Sequence, residues 1–165
     1  MVHPCELTDV ALLDCCEVIR TRGSGPGGQH RNKVETAVVI SHKDSGLSGE
    51  ATERRSQADN KRVALQRLRH KLAINFRTPR DESVGRMTAS RIKNGKISVN
   101  VRHSDFPIVL AEVMDRLFQT GFDMSGVTAK LGCSNSQLLK FIRQSPAAFE
   151  FFNRHRQALG LHRLR

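Results

Sequence analysis

The phenylalanines of this chain lie almost entirely toward one end, and they divide the sequence into two parts. The chain has neither tryptophan nor tyrosine, and seven of its eight phenylalanines lie between residues 106 and 152. Phenylalanine contributes large buried areas to protein cores. We therefore predict two domains: a basic body poor in aromatic residues at residues 1–103, and an apolar helical segment at residues 104–165.

The first part mixes strands with a helix, which predicts an α+β fold. Residues 34–42 are rich in Val, Thr and Ile, as buried strands are. Ser56 can cap the helix that follows. The apolar stripe of that helix is predicted to contain Ala58, Leu65, Leu68 and Leu72. We expect a small mixed or antiparallel sheet with this helix packed against it, followed by the C-terminal helical segment.

Further strands are expected on both sides of the helix. Residues 17–22 and 47–53 are short strand candidates in the body. The turn dipeptide Asn94-Gly95 predicts a β-hairpin that pairs residues 87–93 with residues 96–102.

The second part is predicted to be helical throughout. Helices are expected at residues 105–118, 125–131, 134–143 and 146–159. Residues 127–138 resemble a helix-turn-helix, because Gly132 fits the turn and Leu138 fits the apolar position six residues later. One interpretation is nucleic-acid contact by Asn135, Ser136, Gln137 and Lys140, and the other is a packed helical cap. Residues 154–165 contain no acid, so they end the chain either as a short basic sensor or as a solvated helix end.

The overall charge predicts a polyanionic partner. The net charge is +11, from 27 Lys and Arg against 16 Asp and Glu. No apolar run reaches the roughly 20 residues that cross a bilayer, and residues 1–6 show no signal or transit pattern. We therefore expect a cytoplasmic protein without membrane contact. The four cysteines show no zinc-ligand spacing, so we expect reduced thiols, no metal and no cofactor.

The positive charge is concentrated on the predicted helix of the body. Residues 54–80 hold nine Lys and Arg but only one acid, Asp59. A solvated surface helix usually mixes both signs, so we favour contact with phosphates over a merely solvated face. The nine cations are Arg54, Arg55, Lys61, Arg62, Arg67, Arg69, Lys71, Arg77 and Arg80.

A glycine-rich stretch lies between the first two predicted strands. Four glycines fall within residues 23–28, immediately before Gln29. Glycine at this density allows unusual backbone shapes and lets another molecule approach closely. A flexible connection is the simpler interpretation, and the spacing matches neither a P-loop nor a dinucleotide-binding fingerprint. The cations Arg20, Arg22, Arg31 and Lys33 flank the stretch and would be drawn to phosphates.

The run Gly23-Ser-Gly-Pro-Gly-Gly-Gln-His30 closely resembles the catalytic domain of class I peptide chain release factors. The resemblance continues in order through Asn32-Lys33, Thr36-Ala-Val38, His42, Arg55-Ser56-Gln57 and Asn60-Lys61, and covers roughly residues 16–73. Pro26 stands where many members have alanine, and Arg31 where many have valine. Neither difference touches the Gly-Gly-Gln tripeptide.

The resemblance implies a catalytic role for Gly27, Gly28 and Gln29. In that family the tripeptide enters the ribosomal peptidyl transferase centre and promotes hydrolysis of the ester between the peptide and tRNA. Backbone N–H donation from Gln29 to developing charge would be a familiar catalytic device. The family's glutamine is often N-methylated, so Gln29 is a candidate for this modification. RNA contact is expected from Arg22, Arg31, Lys33, Arg54, Arg55, Lys61, Arg62 and Arg69.

The resemblance also implies the kind of release factor. Members that read stop codons carry a further domain with a Pro-x-Thr or Ser-Pro-Phe tripeptide, and the 165 residues contain neither. We therefore expect a short, codon-independent hydrolase that rescues stalled ribosomes. Its expected partners are the ribosome, through large-subunit rRNA at the peptidyl transferase centre, and peptidyl-tRNA. We expect a monomer, because one copy must fit the ribosomal A site.

Two alternatives remain open from the sequence. A non-hydrolytic module could use the same fold and basic helix to bind ribosomal or other structured RNA. A DNA-binding regulator could use the second part of the chain. The intact Gly27-Gly28-Gln29 tripeptide favours hydrolysis over the first alternative.

Overall fold

The computed structural model describes residues 2–21 and 36–165 of the chain. These residues pack as two compact units, Val2–Leu72 and Ala73–Arg165. The domain boundary predicted near residue 104 is a different division of the chain and stays a prediction.

The first unit contains an antiparallel sheet and the basic helix, which confirms the predicted α+β class. The strands pair in the order β1-β2-β3, so β2 is central. Val38, Ile40 and His42 are buried on one face of β2, whereas Val39 and Ser41 on the other face are half-buried. The elements are helix α1 (Asp9–Asp14), strands β1 (Cys16–Thr21), β2 (Ala37–His42) and β3 (Ser48–Ala51), and helix α2 (Gln57–Asn75).

Helix α2 buries a face that differs at one end from the predicted stripe. Leu65, Leu68 and Leu72 are buried as predicted. Ala58 is exposed, which corrects its assignment to the core. Asn60 is fully buried instead, because it lies four and eight residues before Ala64 and Leu68 and therefore on their side of the helix.

Strand β3 approaches helix α2 so closely that only glycine fits at the contact. A Cβ atom on Gly49 would lie 2.1 Å from the backbone oxygen of Ala64 and 2.6 Å from the backbone nitrogen of Leu68. Neither backbone atom can move without shifting the helix. Gly49 therefore sets the distance between the sheet and α2.

The second unit is mainly helical and is built around phenylalanines. Phe106, Phe141 and Phe152 are fully buried, and the rings of Phe106 and Phe141 lie 4.9 Å apart between centroids. The elements are α3 (Arg86–Arg91), β4 (Ile92–Lys93), β5 (Lys96–Ile97), α4 (Phe106–Gln119), α5 (Met124–Leu131), α6 (Asn135–Ile142) and α7 (Pro146–Ala158).

The predicted hairpin forms only at its turn. Asn94 and Gly95 adopt φ angles of 50° and 71°, as a tight hairpin turn requires. Residues 87–91, however, belong to helix α3 rather than to a strand. Methionine, alanine and arginine in this segment are good helix formers, and Thr88 is its one β-branched residue.

Most predicted helix ends are confirmed. The side chains of Ser134 and Ser145 accept hydrogen bonds from the first turns of α6 and α7. Gly132 ends α5 with a φ of 66°. Asp105 is the exception: its side chain makes no cap for α4 and instead accepts hydrogen bonds from Arg91.

Two buried carboxylates on α4 hold the polar segment that precedes α3. Asp115 accepts from Thr78 Oγ1 at 2.7 Å, from Arg80 Nε at 2.9 Å and from Arg77 Nη1 at 3.0 Å. Glu112 accepts from Arg116 at 2.8 Å and from the Gly85 N–H at 3.0 Å. Buried carboxylates require such partners. The second unit thus uses several of its cations internally.

We predict that Gly49→Ala destabilises the first unit. The added methyl group collides with the backbone of α2, so the free energy of unfolding should fall by about 3 kcal/mol. Urea denaturation of the purified protein measures this change, and Ser48→Ala on the same strand is the control. Equal unfolding free energies for wild type and Gly49→Ala would contradict the close contact between β3 and α2.

Candidate functional site

The glycine-rich stretch is flanked by two strands that pair with one another. Thr21 at the end of β1 and Ala37 at the start of β2 are register partners. The chain therefore leaves the sheet and returns to it at the same place. The predicted catalytic residues Gly27, Gly28 and Gln29 lie outside the described residues, as do Arg22, Arg31 and Lys33.

A buried amide lies where the chain returns to the sheet. Asn60 Nδ2 donates to the backbone oxygen of Thr36 at 2.6 Å and to that of Arg54 at 2.9 Å. Asn60 Oδ1 accepts from the Arg54 N–H at 2.9 Å. Burial of Asn60 was not among the expectations from the sequence. Its spacing of four residues from Ala64 and eight from Leu68 is the signal that could have found it.

The turn before α2 presents cations to solvent. Arg54 and Arg55 are exposed, and Lys61 is half-buried one turn into the helix. Among the described residues, no carboxylate lies within ion-pair distance of these three side chains. Arg62 is also exposed, and its ion pair with Asp59 at 3.0 Å is accessible to water. This group of four cations can bind phosphates.

Arg67, further along α2, binds the same turn and the strand before it. Arg67 forms an ion pair of 2.6 Å with Glu53 and donates to the backbone oxygen of Glu50 at 2.6 Å. The Thr52 N–H also donates to the Glu53 carboxylate, and this bond is the main cause of the lowered pKa of Glu53, to which Arg67 adds. The carboxylate therefore stays charged below its usual pH range.

Arg69 is placed differently from the RNA contact predicted for it. Its guanidinium donates to the backbone oxygens of Cys5 and Leu7, both at 2.7 Å, and forms an ion pair of 2.8 Å with Asp9. Only 11% of its side chain is exposed. The guanidinium of Arg69 holds the N-terminal segment against α2, so we leave Arg69 out of the set of residues proposed to contact RNA.

The second unit contains the predicted pair of short helices and a tail that folds back. Asn135 at the start of α6 accepts from Thr128 Oγ1 of α5 at 2.8 Å, and Asn135, Ser136 and Lys140 are all exposed. Asn153 on α7 bonds both the N–H and the oxygen of Leu164, at 2.8 and 3.0 Å. The basic end of the chain is thus held along α7 rather than extended.

The described part of the chain shows neither a metal cluster nor a membrane span. Within residues 2–21 and 36–165, no three His, Cys, Asp or Glu side chains gather as metal ligands. No helix among the same residues combines the length and hydropathy that a bilayer crossing needs. All four cysteines lie in the described part of the chain, and they form no disulfide there.

Comparison with known proteins identifies the family. A sequence model described as the RF-1 domain matches residues 14–108, which is more than half of the chain. The chain belongs to the RF-1 domain family. The match contains the glycine-rich stretch, its flanking strands and the whole of α2. No solved structure matches the chain.

Similar proteins share this RF-1 domain over part of their length. Peptide chain release factor 1 of Ehrlichia canis is 38% identical over 86 residues, which are 52% of this chain and 24% of that protein. Peptide chain release factor 1 of Thermotoga maritima is 36% identical over 86 residues, again 52% of this chain and 25% of its own length. The matched segment therefore spans about a quarter of these relatives.

We predict that Arg69 serves stability, in contrast to the exposed cations of α2. Arg69→Met leaves buried backbone oxygens without donors, so the free energy of unfolding should fall by about 3 kcal/mol. Arg62→Met removes an exposed ion pair and should cost less than about 0.5 kcal/mol. Urea denaturation compares the two variants. Similar small losses in both would contradict the structural role of Arg69.

Proposed function

We propose that the protein hydrolyses the ester bond of peptidyl-tRNA on the ribosome, without reading a codon, and thereby rescues stalled ribosomes. The observation that carries the proposal is the Gly27-Gly28-Gln29 tripeptide within the RF-1 domain match. The pairing of the flanking strands supports the proposal further. The tripeptide belongs to the segment that connects these two antiparallel strands.

The proposed reaction needs few groups from the protein. Water attacks the carbonyl carbon of the ester, and the bond to the 3′ oxygen of the tRNA breaks. The water supplies a hydroxyl group to the peptide and a proton to the leaving 3′ oxygen. The backbone N–H of Gln29 donates to the charge that develops on oxygen, an interaction stronger in the transition state than in the ground state. The Gln29 side chain helps to place or select the water.

The exposed cations supply the expected attraction to ribosomal RNA. Arg54, Arg55, Lys61 and Arg62 lie on the turn before α2 and on its first turns. Arg22, Arg31 and Lys33, outside the described residues, belong to the same proposed set. Neutralised phosphates release counterions, so binding through these residues should weaken as salt rises.

We predict that Gln29→Ala abolishes peptide release but keeps ribosome binding. Losing the side chain that places the water should lower kcat by roughly 100-fold or more, while the cations still bind RNA. The measurement is release of labelled peptide from peptidyl-tRNA on ribosomes with truncated mRNA, with ribosome binding measured in parallel. Gln157→Ala, exposed on α7, is the control.

Two outcomes would contradict this proposal. If wild type binds ribosomes tightly without releasing peptide, the non-hydrolytic RNA-binding module is the better interpretation. If release requires a stop codon in the A site, the codon-independent part of the proposal fails. Free peptidyl-tRNA should remain intact in the same experiment, because the reaction is proposed to require the ribosome.

We also predict that the turn before α2 contributes to ribosome affinity. Arg54→Ala combined with Arg55→Ala should raise the Kd for ribosomes roughly tenfold and reduce the slope of log Kd against log salt by about two. Arg86→Ala combined with Lys93→Ala removes the same charge from exposed positions of the second unit and is the control. Equal weakening in both double variants would show a general charge effect instead of a specific contact.

A further inference from the structure

Asn60 is an unusual residue in α2, because its side chain is polar and fully buried. It has no exposed surface, although it lies on the face that otherwise carries Ala64, Leu68 and Leu72. Burial of an amide is unfavourable unless its donors and acceptor are bonded. Both donated bonds and the accepted bond of Asn60 are present, at 2.6, 2.9 and 2.9 Å.

The three bonds join the helix to two different segments. One bond reaches the backbone oxygen of Thr36, the first described residue after the glycine-rich stretch. The other two pair the amide with both backbone groups of Arg54, in the turn before α2 that carries Arg54 and Arg55 (the cationic turn). A fully bonded amide in a buried site holds one orientation. Asn60 therefore fixes both segments relative to the same point on α2.

We propose that Asn60 is a positioning residue for the catalytic segment: through the oxygen of Thr36 it sets where the Gly-Gly-Gln connection returns to the sheet. The proposal rests on the function proposed above. It assigns Asn60 no contact with substrate. Any effect of Asn60 on Gln29 passes along the backbone between residues 29 and 36. Asn60 holds the far end of that backbone, at Thr36.

The bond from Asn60 adds a contact from the helix at the point where the chain returns to the sheet. Among the described residues, the last pair of the ladder between β1 and β2 is Thr21 and Ala37. Thr36 lies just beyond that pair, and the Asn60 amide bonds it to the helix. When the backbone angle changes slightly at one end of a connection, the resulting displacement grows with distance from that end. Misplacement of a reacting group by about 1 Å can cost roughly 100-fold in rate.

The cationic turn has a second support and so depends less on Asn60. Arg67 holds the turn through Glu53 and also bonds the backbone oxygen of Glu50 in β3, just before the turn. Loss of the Asn60 bonds should therefore affect the return of the catalytic segment more than the presentation of Arg54 and Arg55. The two consequences can be separated as changes in kcat and in the ribosome concentration that gives half-maximal rate.

The test uses Asn60→Asp, which keeps the size of the side chain and the acceptor for the Arg54 N–H but loses both donors. We expect kcat for peptide release to fall roughly 10- to 100-fold, with less than about a threefold change in the half-maximal ribosome concentration. Leu12→Ala is the matched control, because Leu12 is fully buried in the same unit and touches neither Thr36 nor Arg54 through a hydrogen bond. Both variants are measured well below their unfolding temperatures.

A second readout does not depend on hydrolysis. Hydrogen exchange at the backbone amides of residues 37–39 should accelerate in Asn60→Asp by at least about tenfold relative to Leu12→Ala at matched stability. Unchanged exchange would overturn the inference whatever the reaction proves to be. Equal loss of kcat in Asn60→Asp and Leu12→Ala would also overturn it, because Asn60 would then only stabilise the fold.

The failure of this inference differs from a failure of the proposed function. If Gln29→Ala abolishes release while Asn60→Asp releases peptide normally, the function stands and the positioning role is wrong. If Gln29→Ala releases peptide normally, the proposed function is wrong, and the exchange measurement alone decides whether Asn60 fixes the return point.

Discussion

The close packing of helix α2 on the sheet is the constraint on which the rest of the first unit depends. Gly49 lets the helix backbone approach β3, and Leu65, Leu68 and Leu72 of α2 are buried. From this helix the short side chain of Asn60 reaches the backbone of both Thr36 and Arg54. The position of the helix is therefore linked to the positions of these two residues.

The structure sorts the positive charges into two groups with different roles. Arg69 binds backbone oxygens of the N-terminal segment, and Arg77 and Arg80 neutralise Asp115 inside the second unit. Arg54 and Arg55 remain exposed on the turn before α2. Net charge thus indicates a polyanionic partner, while hydrogen-bond geometry decides which individual cations can reach it.

Local patterns predicted much of the fold, whereas side-chain partners required the structure. The strands around the glycine-rich stretch and the caps at Ser134 and Ser145 follow from residue type and spacing, and they are confirmed. The helix at residues 87–91 was mistaken for a strand, because the nearby Asn-Gly signal specifies a turn and not the length of its strands. The hydrogen bonds from Asn60 to Thr36 and from Arg69 to Cys5 join segments distant in sequence, and no local pattern encodes such partners.

The most direct test of the central claim is a cryo-electron microscopy structure of the Gln29→Ala variant on a ribosome that holds peptidyl-tRNA and truncated mRNA. Our account predicts residue 29 beside the ester at the 3′ end of the tRNA, Arg54 and Arg55 against ribosomal RNA, and the bond from Asn60 to Thr36 intact. A complex in which the glycine-rich segment lies away from the peptidyl transferase centre would contradict the account.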